Sequence, residues 1–125
     1  MIQNYFVRLP LVNAYNVRDL GGYSTDLGSV TKGHAFVRAD DPCNLGEEDI
    51  QFLLEYGIKA IVDLRSEEEL QRSPNPFANN QYVDYINIPL MIDSVDDVTK
   101  INSLNPIGFL ASFYIDIIKR AKSRI

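Results

Sequence analysis

The sequence predicts an α/β fold built on a small, partial parallel sheet, and three features point that way. A helical pattern over residues 47–56 runs directly into Ala60-Ile61-Val62, an apolar segment without alternation of apolar and polar residues. Such a run suits a strand covered on both faces, the habit of parallel sheets. A short helix and a second strand follow, which makes a strand–helix–strand crossover of the right-handed kind. The last segment carries an apolar stripe wide enough to demand a sheet beneath it. An N-terminal β-rich segment precedes these elements, and the completed fold would have three αβα layers.

In chain order, residues 5–9 and 35–38 read as short strands, separated by turn signals at Gly21-Gly22 and Leu27-Gly28-Ser29. Over residues 47–56, Ile50, Leu53 and Leu54 share one helical face. Glu47, Glu48 and Asp49 suit the positive end of that helix dipole, and Gly57 suits its stop. A strand is predicted over residues 59–64. Ser66 and Glu69 have capping-box spacing and open a helix reaching Arg72, which Pro74 and Pro76 then end. Residues 82–88 read as the second good strand, closed by Pro89, and residues 93–100 as one loose helical turn. In the final helix Asn105 caps and Pro106 takes the first position. Leu110, Phe113, Tyr114, Ile117, Ile118 and Ala121 form its stripe, and Lys119, Arg120, Lys122 and Arg124 favour its C-terminal end.

The 125 residues are 46% hydrophobic and 23% charged, a folded composition sized for a single domain, residues 1–125. Twelve basic residues against 17 acidic ones give a net charge of −5, with no block of like charge. That balance argues against general nucleic-acid or anionic-membrane binding and leaves room for a local anion site. No apolar run has the length of a membrane span, and residues 1–12 lack the apolar stretch of a signal peptide. The single cysteine, Cys43, excludes an intrachain disulfide and a Cys-rich zinc site. A cytoplasmic setting is the default for such a chain, with secretion by a non-classical route left open. Two parallel strands rarely stand alone, and another strand is expected after the last helix. The sequence therefore reads as part of a larger domain.

Three segments carry a resemblance. They are Asn16-Val17-Arg18-Asp19-Leu20-Gly21-Gly22-Tyr23, then Gly33-His34-Ala35-Phe36-Val37-Arg38-Ala39-Asp40, then residues 53–69 with Tyr56-Gly57-Ile58-Lys59-Ala60-Ile61-Val62-Asp63-Leu64-Arg65-Ser66. Together they resemble the bacterial protein tyrosine/serine phosphatases of the Cys-x5-Arg class, relatives of the dual-specificity phosphatases. The likeness implies a phosphatase-like domain that hydrolyses phosphotyrosine, phosphoserine or phosphoinositide through a cysteinyl-phosphate, with no metal and no cofactor. That family places a His-Cys-x5-Arg loop after a helix like the last one here, where a thiolate attacks phosphorus inside a cradle of amides and Arg. In this sequence the residue six after Cys43 is Asp49. Cys43 is therefore no nucleophile of a standard loop. The resemblance covers an N-terminal portion whose catalytic loop is expected beyond Ile125, and the chain as given is expected to be inactive.

Asp63 ends a strand, where ligands of open α/β sheets collect, and the resemblance makes it the candidate general acid. The competing reading pairs it with Arg65 or lets it cap the next turn. Arg65 and Arg38 are the candidate substrate-binding residues, because guanidinium binds phosphate bidentately. Arg18 and Asp19 are expected to pin the N-terminal loop, and Gly21 and Gly22 to meet a backbone demand such as positive φ. His34 reads as an ordinary imidazole without partners for a metal, and a Cys43–His34 pair lacks both a third group and an oxyanion hole. Glu67, Glu68 and Glu69 suit a helix's first turn rather than a metal cluster.

Two other functions fit parts of the pattern. Residues 61–69 with Asn87-Ile88-Pro89-Leu90 resemble a rhodanese-like sulfurtransferase, although that family's Gly-His-Ile and its active cysteine are missing. A non-catalytic module that binds a partner, or forms a homodimer, through an uncovered sheet edge or the apolar helix stripe is the third reading. The partners expected are thus a phosphorylated protein or phosphoinositide, and either the rest of the domain or a second copy.

Overall fold

The structure, a computed structural model, describes residues 8–90 and 106–122. In chain order its elements are β1 (Arg18–Asp19), β2 (Val37–Arg38), α1 (Glu47–Tyr56), β3 (Ala60–Asp63), α2 (Glu67–Arg72), β4 (Asp84–Asn87) and α3 (Pro106–Ala121). This is the mixed α/β class that the sequence predicts. The chain clusters into two compact units, Met1–Ala60 with Asn75–Asp84 and Ile61–Pro74 with Tyr85–Ile125.

In the first unit β1 and β2 pair antiparallel, Arg18 opposite Arg38 and Asp19 opposite Val37. Arg8 bridges the other side of Arg18, and Leu9 N donates to the Val17 carbonyl at 2.8 Å. Alternation along these strands buries Leu9, Val17 and Asp19 while Arg8, Arg18 and Arg38 stay exposed. The paired segments are shorter than the sequence pattern predicts. One further bond, Leu20 N to the Phe36 carbonyl at 2.9 Å, continues the pairing, after which Gly22 N turns to the Thr31 carbonyl and the His34 amide to the Asp19 carboxylate. Residues 5–7 of the predicted first strand lie outside the described residues.

Helix α1 has its predicted bounds and its predicted stop: Gly57 sits at φ 106°, and its amide closes on the carbonyls of Leu53 and Leu54. Its buried residues are Leu53 and, unexpectedly, Asp49. Among the described residues, every buried hydrophobic belongs to this first unit: Leu9, Leu11, Ala14, Val17, Leu53, Phe77 and Val83.

β3 and β4 form the second sheet. Asp84 N bonds to the Lys59 carbonyl and Ile88 N to the Asp63 carbonyl, so partners advance by equal steps in the same direction and the pair is parallel. The connecting α2 opens with the predicted capping box. Glu69 N donates to Ser66 Oγ at 3.3 Å, and Ser66 N donates back to Glu69 Oε2 at 2.8 Å. Cover on both faces of β3 is not found among the described residues, where Val62 is 55% exposed. An apolar run records only that a strand is built to be covered. In α3, Phe113 and Ile117 of the predicted stripe are half-buried, whereas Tyr114 and Ile118 are exposed. The predicted turn over 93–100, the Asn105 cap, Arg124 and the side chains of Leu110, Arg120 and Ala121 lie outside the described residues.

Candidate active-site residues

In the second unit, β3 delivers Asp63 to its carboxyl end, and the turn into α2 brings Arg65 back beside it. Arg65 Nε donates to Asp63 Oδ1 at 3.1 Å and Nη2 to Oδ2 at 3.0 Å, a bidentate ion pair. The Arg65 amide also donates to Oδ1, and the Tyr85 hydroxyl donates to Oδ2 at 3.1 Å. Arg65 Nη1 reaches the Ser73 carbonyl at 2.9 Å, so one guanidinium ties the end of β3 to the residue that closes α2. The Asp63 side chain is 4% exposed and that of Arg65 15%. Asn87, at the end of β4, completes the cluster by donating from Nδ2 to the carbonyls of Asp63 and Arg65. Burial pushes the Tyr85 phenol above its ordinary value. The hydrogen bond to Asp63 and that residue's charge add to the rise, against the opposing charge of Arg65.

The first unit holds two buried carboxylates of a different kind. Asp19 Oδ1 accepts from Gly21 N at 2.7 Å, while Oδ2 accepts from His34 N at 2.8 Å and from the Tyr56 hydroxyl at 2.6 Å. Asp49 accepts from Val12 N at 2.7 Å and Asn13 N at 2.9 Å. Burial alone would raise both acids. For Asp19 the Tyr56, His34 and Gly21 hydrogen bonds, with the His34 charge, outweigh it and hold the group below its usual value. For Asp49 the bonds from Val12, Asn13 and Gly46 do the same. Both are structural anchors, as the sequence predicts for Asp19.

Arg18 does no such pinning. It is exposed, and its Nε donates to Asn16 Oδ1. Gly22 has the anticipated positive φ of 81°, but Gly21 is required for space, since a Cβ there would lie 2.5 Å from Gly33 Cα. His34 adopts φ 57° and stacks on Tyr56 with ring centroids 4.2 Å apart. The half-buried Cys43 lies in the loop before α1, its amide donating to Asp41 Oδ1 at 3.0 Å. Arg38 is exposed on β2.

Of the three site residues that the sequence singles out, then, Asp63 and Arg65 meet in one ion pair, and Arg38 stands in the other unit. Tyr85 and Ser73 join the Asp63 cluster without any sequence signal, and Asn87 does so with only its strand-end position and its place in the Asn87-Ile88-Pro89-Leu90 segment to mark it. Among the described residues no group of three or more His, Cys, Asp or Glu side chains is placed to hold a metal, and no helix is long and apolar enough to cross a membrane. In comparisons with known proteins, the model of the tyrosine phosphatase family matches residues 9–125. No curated protein matches the chain.

Proposed function

Because the chain belongs to the tyrosine phosphatase family, we propose that it serves phosphomonoester hydrolysis through a cysteinyl-phosphate, with the nucleophile supplied from outside these 125 residues. The observation that carries this reading is the setting of Cys43. A thiolate displacing an alkoxide or phenolate from phosphorus needs donors and positive charge around the three equatorial oxygens. Six residues after Cys43 stands Asp49, a buried carboxylate already bound to the Val12 and Asn13 amides. The Cys43 amide is itself engaged by Asp41. An anion at the position of the required guanidinium repels phosphate, so the chain alone does not turn over. In this reading it is the N-terminal portion of a phosphatase domain. Its substrate is a phosphorylated protein or phosphoinositide, and its necessary partner is the remainder of that domain.

Asp63 and Arg65 enter this reading as one unit. A general acid must carry a proton and face the leaving oxygen, whereas Asp63 is an ion-pair partner that accepts four hydrogen bonds at its carboxylate. This supports a positioning role: the pair fixes the end of β3, where a substrate of an open α/β sheet approaches. The sulfurtransferase reading gives no place to residues 16–22, which the family match includes.

The test is incubation of the chain with p-nitrophenyl phosphate and a phosphotyrosine peptide, beside Cys43→Ser. Equal release at the buffer rate in both, with no phosphoryl adduct on Cys43 by mass spectrometry, is the expected result. Turnover that the Cys43→Ser exchange abolishes would overturn the proposal.

A further inference from the structure

Three arginines form a row across the first unit. Arg8 bridges Arg18, and Arg18 stands opposite Arg38 in the β1–β2 ladder. Directly opposed residues of antiparallel strands project from the same face. The opposite face carries the buried Leu9, Val17 and Asp19, so the three guanidinium stems share the exposed side. Like charges placed directly opposite one another work against strand pairing. Here the opposition occurs twice in succession, in a chain with 17 acidic residues available against 12 basic ones. Among the described residues none of the three forms an ion pair, and the side-chain hydrogen bond from Arg18 to Asn16 joins it to a neutral amide. One residue pair further along the ladder, on the same face, lie Leu20 and Phe36, the latter 75% exposed.

We propose that Arg8, Arg18 and Arg38 form a binding site for a ligand bearing two or more clustered phosphate groups. Neighbouring strands lie roughly 4.8 Å apart, so the row spans roughly 10 Å and offers two gaps between three guanidinium groups. Each gap takes one phosphate, held from both sides by charge-assisted bonds. A single phosphate would leave one end of the row unused. The site does not require the hydrolytic reading, since it acts by binding alone.

The test is calorimetric titration of the full chain with tripolyphosphate and, separately, co-sedimentation with phosphatidylcholine vesicles carrying phosphatidylinositol bisphosphate. Arg18→Gln and Arg18→Glu are the variants. The expected result is binding in at least one arm that falls roughly tenfold or more in both variants, as loss of charged hydrogen bonds requires. It should also weaken steeply with salt. Inorganic monophosphate is expected to bind more weakly than tripolyphosphate. Thermal melting controls for folding, and Arg18→Glu is expected to melt at or above the parent temperature, because it converts two opposed like-charge pairs into attractive ones. Binding in the tripolyphosphate arm identifies a soluble polyphosphate as sufficient, and binding in the vesicle arm alone identifies the lipid headgroup as the source. Absence of binding in both arms, equal affinity in the variants, or equal affinity for monophosphate and tripolyphosphate would overturn the proposal.

Discussion

Asp63 carries more of the second unit's polar bonding than a strand-end residue ordinarily does. Its carboxylate takes three donors from Arg65 and one from Tyr85, and its carbonyl takes Asn87 and Ile88. Removing its charge takes the bidentate carboxylate away from a guanidinium that is itself 15% exposed. Asp63→Asn is therefore expected to destabilise by about 3 kcal/mol, the scale for breaking a largely buried pair from one side, as read by urea denaturation. In the complete catalytic domain proposed above, the same exchange should slow p-nitrophenyl phosphate and phenyl phosphate by one common factor. A loss concentrated on phenyl phosphate, the poorer leaving group, would instead give Asp63 the general acid's part.

At the scale of elements, the helix ends were legible because their determinants are local. Ser66 and Glu69 are three residues apart and make the reciprocal bonds that their spacing announces. Gly57 follows α1 directly, with the left-handed backbone that a stop of this kind uses. Ser66→Ala should cost about 1 kcal/mol through the lost cap, and Gly57→Ala about 1 kcal/mol through its positive φ, each measured as a shift in the denaturation midpoint. The anchors were not legible in the same way. Asp49 lies in the first turn of α1, where an acid needs no further explanation than the dipole, yet its partner Val12 is 37 positions away. Asp19 reaches Tyr56 over the same separation. No periodicity encodes such pairings, because the chain between them must first fold. Strand length failed for a related reason: β propensity marks residues 35–38, but the length of a ladder depends on the partner segment, where Gly22 N bonds to the distant Thr31 carbonyl and leaves only Val37 and Arg38 paired with β1.

For the whole molecule, acid stability separates these anchors from net charge. Asp19 and Asp49 are both held below their ordinary values in the folded chain, while in the unfolded chain they return to about 3.9. The unfolded state therefore binds more protons in the window below that value. The anchors' contribution is full above about pH 5 and is lost as pH falls through the depressed folded values. Net charge alone predicts the opposite trend at first, since a chain of −5 loses self-repulsion as acid neutralises it. Urea midpoints measured from neutral pH downward should hold or rise to about pH 5 and then fall steeply. Asp19→Asn and Asp49→Asn should each be less stable at neutral pH and show a shallower acid slope, and the double variant the shallowest. Hydrogen exchange should speed first at the amides of Val12, Asn13, Gly21 and His34, which these two carboxylates hold. An acid slope unchanged in both variants would assign the transition to other carboxylates and refute the anchoring role.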